Sequence, residues 1–289
     1  MALCAGTAAG AQSALEKVPL FAVEPPAVPL DEFRYGRERG QVIVYSPPAG
    51  NSSAAPLAVL LRESDVEYST GFLRPRLRKE GFGFATIRYD PENDQERSVD
   101  IRNVAAAIAL LRKQAERRRI DPDRIVLIAT GTAAQLALLL ATDPTWLEEA
   151  GVPLDAIRGV VTVNGTSFDI TESLARVPPH LRAPYHRLFG KDPSAHARLS
   201  PSAHLAPPNA GRFLFLFERH EERMRGEAES GASRFAAAGL SARAVSLPKW
   251  HSETRATYLL AEPGGAGDEL LAFLNDTAGA GPRSASTSP

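Results

Sequence analysis

The 289-residue chain is 44% hydrophobic and 23% charged, the balance of an ordinary globular protein long enough for one large domain with a substantial core. Its 33 Lys and Arg offset 34 Asp and Glu to leave a formal charge of -1, so no net field favours nucleic acid or an anionic membrane surface. The sole cysteine, Cys4, excludes an intramolecular disulfide, and no run reaches the roughly 18 apolar residues of a membrane span.

Residues 1–33 read as an N-terminal arm. Its first 11 residues are small and apolar and end in Ala9-Gly10-Ala11, the form of a signal-peptide cleavage site, but they lack a basic start and a long apolar run. As written the chain is expected in the cytoplasm; a clipped export signal would instead place it in the periplasm or outside the cell. Strands are expected at 41–45, 56–61 and 82–89, separated by Gly, Pro, Asn and Ser turns. A helix follows, with Ile101, Val104, Ile108, Leu111 and Ala115 on one face, Asp100 near its start and arginines toward its end. That Arg-rich end reads as a solvated terminus.

After the polar Asp121-Pro122-Asp123 turn, residues 125–129 form an unbroken, β-branched apolar run, the mark of a strand buried on both faces. Residues 133–141 are almost all Ala and Leu and predict a buried helix. A strand at 159–163 precedes a Pro-rich stretch, 166–211, expected to form a cap-like insertion. Its His180, His186, His196 and His204 lack metal-ligand spacing and read as satisfied or exposed loop histidines. Strands at 212–217 and 242–247, helices at 229–238 and 269–275, and a disordered tail at 278–289 complete the chain. Strands alternating with helices predict an α/β domain over 34–277, with a mostly parallel sheet covered on both faces.

The corner between the buried strand and helix is Ala129-Thr130-Gly131-Thr132-Ala133. It resembles the nucleophile elbow of α/β-hydrolase esterases, the carboxylesterase and acetyl-esterase group, in which a nucleophile sits between small residues at a strand-to-helix turn. Further landmarks occur in the shared order: Arg88-Tyr89, Ile120-Asp121-Pro122-Asp123-Arg124, Ala141-Thr142-Asp143-Pro144, Leu154-Asp155-Ala156-Ile157-Arg158-Gly159 and Leu199-Ser200-Pro201. The resemblance spans about residues 35–273 and implies the α/β-hydrolase fold, a small cap and a four-part acyl-transfer site.

Carried onto this sequence, the nucleophile position falls on Gly131, which has no side chain to attack with. The base position is retained as His251. The acid position falls on His220, with Glu221 as a substitute, and the oxyanion loop, a His-Gly-Gly run in the family, is replaced by Arg62-Glu63-Ser64. The Thr132 N–H would be the remaining oxyanion donor. The expectation is a non-catalytic pseudoenzyme that binds a small molecule in a remnant cleft or regulates a partner. The alternative is an active ester hydrolase using Thr130, Thr132 or a water, with His251 as base. No cofactor, metal or nucleic-acid partner is implied, and oligomeric state is not legible.

Overall fold

The apolar runs assemble into one sheet in a computed structural model that describes residues 27–50, 54–62, 70–89, 97–248 and 260–279. Its strands are β1 (Asp31–Arg34), β2 (Val42–Ser46), β3 (Ala55–Arg62), β4 (Gly83–Arg88), β5 (Ile120–Thr130), β6 (Ile157–Val163), β7 (Arg212–Glu218) and β8 (Ser241–Leu247). They lie in the order β1-β2-β4-β3-β5-β6-β7-β8. Only β2 runs against its neighbours β1 and β4, while the remaining pairs are parallel.

Parallel pairing needs crossovers, and helices supply most of them. In chain order these are α1 (Leu73–Lys79), α2 (Arg97–Lys113), α3 (Ala115–Arg118), α4 (Ala133–Thr142) and α5 (Thr145–Glu149). After β6 come α6 (Ile170–Arg176), α7 (Ala183–Phe189), α8 (Pro193–Leu199), α9 (Glu222–Ala237) and α10 (Gly265–Ala278). Side chains along each central strand alternate between two cores. Val59, Leu61, Leu127 and Ala129 pack with α2, α4 and α9, whereas Ala58, Leu60, Val126 and Ile128 pack with α1 and α10. This two-sided burial explains the unbroken apolar runs of β3 and β5.

Several boundaries differ from the sequence expectation. The domain begins earlier, because residues 31–34 form an edge strand on β2. That strand also covers Arg118, whose guanidinium lies 3.6 Å from the Phe33 ring centroid and pairs with Asp31, so the arginine-rich helix end is partly buried. Asp121, Pro122 and Asp123 lie within β5, where pairing to β3 steps from Ile120 to Ile125. Helix α9 starts at Glu222 and α10 extends to Ala278, which is fully buried. Most of the arm and the tail lie outside the described residues.

The 166–211 stretch packs along the flank of α4. Gln135 Nε2 donates to the Leu199 carbonyl at 2.6 Å, the Ala210 N–H donates to Ala141 at 2.8 Å, and Phe189 and Leu199 join the main core. Three of its four histidines contact backbone: His186 Nδ1 and His196 Nε2 lie 3.2 and 3.0 Å from the Gly190 carbonyl, and His204 Nε2 lies 2.8 Å from that of Arg198, while His180 is exposed. Among the described residues, no group of three or more His, Cys, Asp or Glu is arranged to hold a metal ion, and no helix is long and apolar enough to cross a membrane.

Helix α6 meets α9 through Glu227, which is buried and accepts from Ser173 Oγ at 2.6 Å. Burial pushes its carboxyl above the usual glutamate range, against the Ser173 hydrogen bond and the nearby Arg176 charge. A raised carboxyl pKa means that the folded state holds the proton more tightly than the unfolded chain does. The stability it contributes is therefore complete below the ordinary glutamate pKa and is lost as pH rises through the folded value. Glu227→Gln should flatten this decline. Urea denaturation of both proteins at several pH values checks it, and parallel pH profiles would refute it.

Candidate functional site at the strand-to-helix corner

The corner forms because a buried strand must turn within a few residues into a buried helix. Gly131 makes the turn at φ +54°, a conformation that glycine adopts without a Cβ penalty. Three backbone hydrogen bonds pin it: its N–H donates to Val163 at 3.2 Å, and its carbonyl accepts from Ala134 and Thr166, each at 3.3 Å. Ala129 and Ala133, two residues to either side, are buried, while Thr130, Gly131 and Thr132 are half-exposed. The tip thus emerges from the core at the carboxyl ends of the parallel strands, where α/β proteins place their ligands.

Thr132 occupies the N-cap position of α4 with a helical backbone, φ -73°, and its hydroxyl makes no capping bond to the helix. Thr130 is the last residue of β5, paired in register with Val163. Neither threonine has a positive φ.

Behind the tip lies a buried polar cluster that sequence reading missed. Arg97 Nη2 donates to the Thr132 carbonyl at 2.6 Å, Nε to Gln135 Oε1 at 3.0 Å, and Nη1 to Asp100 Oδ2 at 3.2 Å. Its guanidinium also lies 5.9 and 5.8 Å from the Tyr89 and Phe189 ring centroids. With side chains 0% and 2% exposed, Arg97 and Asp100 form a desolvated ion pair. Arginine suits the place because its planar fork can serve three acceptors at once. The available signal was Arg97 and Asp100 at helical spacing, three residues apart, at the start of a helix following a strand.

The loop after β6 closes against the tip. Asn164 and Ser167 hold φ of +47° and +65°, and the Asn164 side chain accepts the Glu218 N–H at 2.8 Å. A Cβ on Gly165 would come within 2.6 Å of Ala134 Cβ and 2.9 Å of the Phe168 ring. Gly165→Val should therefore displace the first turn of α4 and cost about 1–3 kcal/mol. Urea denaturation measures this; an unchanged midpoint would refute the close packing.

The other expected site residues fall into three groups. His220 and Glu221 are both exposed, in the turn between β7 and α9, with Glu221 at the N-cap position. Arg62 is buried at the carboxyl end of β3, in register with Arg88, and its carbonyl accepts the Tyr89 N–H at 3.4 Å. His251, Glu63 and Ser64 lie outside the described residues. A carboxylate not expected here stands closer to the sheet: Glu218 ends β7, is only 4% exposed, and pairs in register with Leu247, four residues before His251 in sequence. An acidic residue closing an apolar strand was its only sequence signal.

No family model and no curated protein matches this sequence. Solved structures do. Esterase B from Lactobacillus rhamnosis superposes with a TM-score of 0.69 at 17% identity, over 93% of this chain and 94% of that one. A thermophilic, thermostable carboxylesterase cloned from a metagenomic library gives 0.68 at 18% identity, again over 93% and 94%. A truncated carbohydrate esterase from gut microbiota gives 0.72 at 13% identity, over 89% of this chain and all of that one. At these identities the likeness shows the fold: the chain is an α/β-hydrolase-fold protein whose structural neighbours are esterases and carboxylesterases.

Proposed function

We propose that this protein keeps the esterase architecture without ester hydrolysis and serves as a binding or regulatory pseudoenzyme. The observation that carries this reading is Gly131, which holds the positive-φ backbone at the corner and offers no side chain there. Half-exposed Thr130 and Thr132 do not replace it, since neither adopts that backbone. Loss of a nucleophile typically removes most of the rate of such a site, and the sequence Arg62-Glu63-Ser64 also replaces the glycine-rich oxyanion loop with a carboxylate of unfavourable sign.

The test is turnover of a short-chain aryl ester by the purified protein beside Gly131→Ser, Thr132→Ala and His251→Ala. A silent parent chain supports the reading. Parent activity that disappears with His251→Ala or Thr132→Ala overturns it in favour of a rebuilt hydrolase. One feature favours retained base chemistry: Glu218 is buried on the strand beside the one leading to His251, a better place for an orienting acid than exposed His220.

A further inference from the structure

A cavity of about 550 Å³ opens between the start of α2, the start of α5 and the α7–α8 pair. Neither Gly131 nor Thr132 is among its walls; Arg97 is, with its guanidinium committed to Asp100, Gln135 and the Thr132 carbonyl, so the cavity lies behind the corner rather than at its tip. Its volume lies within the range of small-molecule sites. Its apolar walls come from Trp146, Leu188, Phe189 and Leu199.

The charges around it are unequally committed. Asp143 accepts from the Thr145 N–H and Oγ1 at 3.2 and 2.6 Å and lies 3.9 Å from His204. Asp192 caps α8, accepting from the Ser194 N–H and Oγ at 2.9 and 2.6 Å. Arg198 donates to Ser194 Oγ at 3.3 Å and lies within the field of Asp192. Arg187 also lines the cavity, is exposed, and has no side-chain hydrogen bond or ion pair among the described residues. The cavity thus combines aromatic and aliphatic walls with the Arg187 guanidinium, uncommitted among the described residues, which can donate two parallel hydrogen bonds to a carboxylate.

We propose that this cavity is a second binding site, taking a small organic carboxylate with an apolar body, the carboxylate on Arg187 and the body against Trp146 and Phe189. The inference is independent of whether the corner hydrolyses esters. Binding here moves no bonds and requires no cofactor.

The sequence holds two tryptophans, Trp146 and Trp250, so Trp250→Phe leaves Trp146 as the only indole reporter. In that background, 4-phenylbutyrate should change the emission saturably and bind at least roughly tenfold more tightly than the neutral 4-phenylbutanamide, because one charge-assisted pair is lost. Arg187→Ala should abolish the preference for the carboxylate, and Arg187→Lys should restore part of it. Ala195→Phe, which places a ring on the cavity wall, should block both ligands while His251→Ala blocks neither. Equal affinity for acid and amide would overturn the assignment, as would the absence of any saturable change. Binding that survives both Arg187→Ala and Ala195→Phe, or that vanishes with His251→Ala, would place the ligand elsewhere and also overturn it.

Discussion

Gly131→Ser is expected to hydrolyse a short-chain aryl ester roughly 100-fold faster than the parent chain, a gain erased by adding His251→Ala. The size follows from what the substitution restores and what it leaves missing. A serine at the corner would regain the nucleophile, whose loss in related sites costs far more than 100-fold, but each missing oxyanion donor removes about 10²–10³ of that rate. The backbone is already in place, since Gly131 holds φ +54° through bonds to Val163, Ala134 and Thr166. A non-glycine residue there carries strain of about 1–3 kcal/mol, so the gain should come with lower stability. Adding Glu218→Gln to Gly131→Ser should reduce the rescued rate, whereas His220→Ala should leave it unchanged. Initial-rate assays paired with urea denaturation check both halves. If Gly131→Ser is as silent as the parent, His251 and the corner no longer form a competent pair.

Arg97→Met should destabilise the protein by about 3–5 kcal/mol, the cost of breaking a buried ion pair by removing one of its members. Asp100, 2% exposed at its side chain, would keep its charge in a desolvated site, and the Thr132 carbonyl and Gln135 would each lose a donor. The double variant Arg97→Met with Asp100→Leu removes both charges and should recover most of the loss, because a well-packed apolar pair can replace a buried ion pair at little cost. The double variant should not recover the corner: in a Gly131→Ser background it should still lower turnover, since the Thr132 carbonyl loses the Arg97 donor. Equilibrium urea denaturation of the single and double variants measures the coupling. A loss below about 1 kcal/mol in Arg97→Met would show that the cluster contributes little.

The elements legible in sequence were those whose surroundings impose a simple pattern. Residues 125–129 and 133–141 are buried almost completely, so every position but Gln135 is apolar and the run marked itself. Features that depend on one distant partner were not legible. Strand β1 alternates too weakly to be read alone, since its four residues are mostly exposed and pair only along one edge. Arg118 looked like a solvated charge because nothing near it in sequence announces the Phe33 and Asp31 that cover it. Helix α9 opens with charged residues facing solvent, and its buried side begins only at Met224, which hid its first turn.

The corner divides in the same way. The order of elements, the small residues around position 131 and the absence of a serine there are properties of the chain, because they follow from residue types in sequence. The positive φ of Gly131, the support of Thr132 by Arg97, the burial of Glu218 beside the strand leading to His251, and the cavity at Arg187 belong to the tertiary structure. The physical reason is range. Backbone propensity and hydrophobic period act over a few neighbouring residues, whereas desolvation and hydrogen bonding act between groups that only the folded chain brings within about 3 Å of one another.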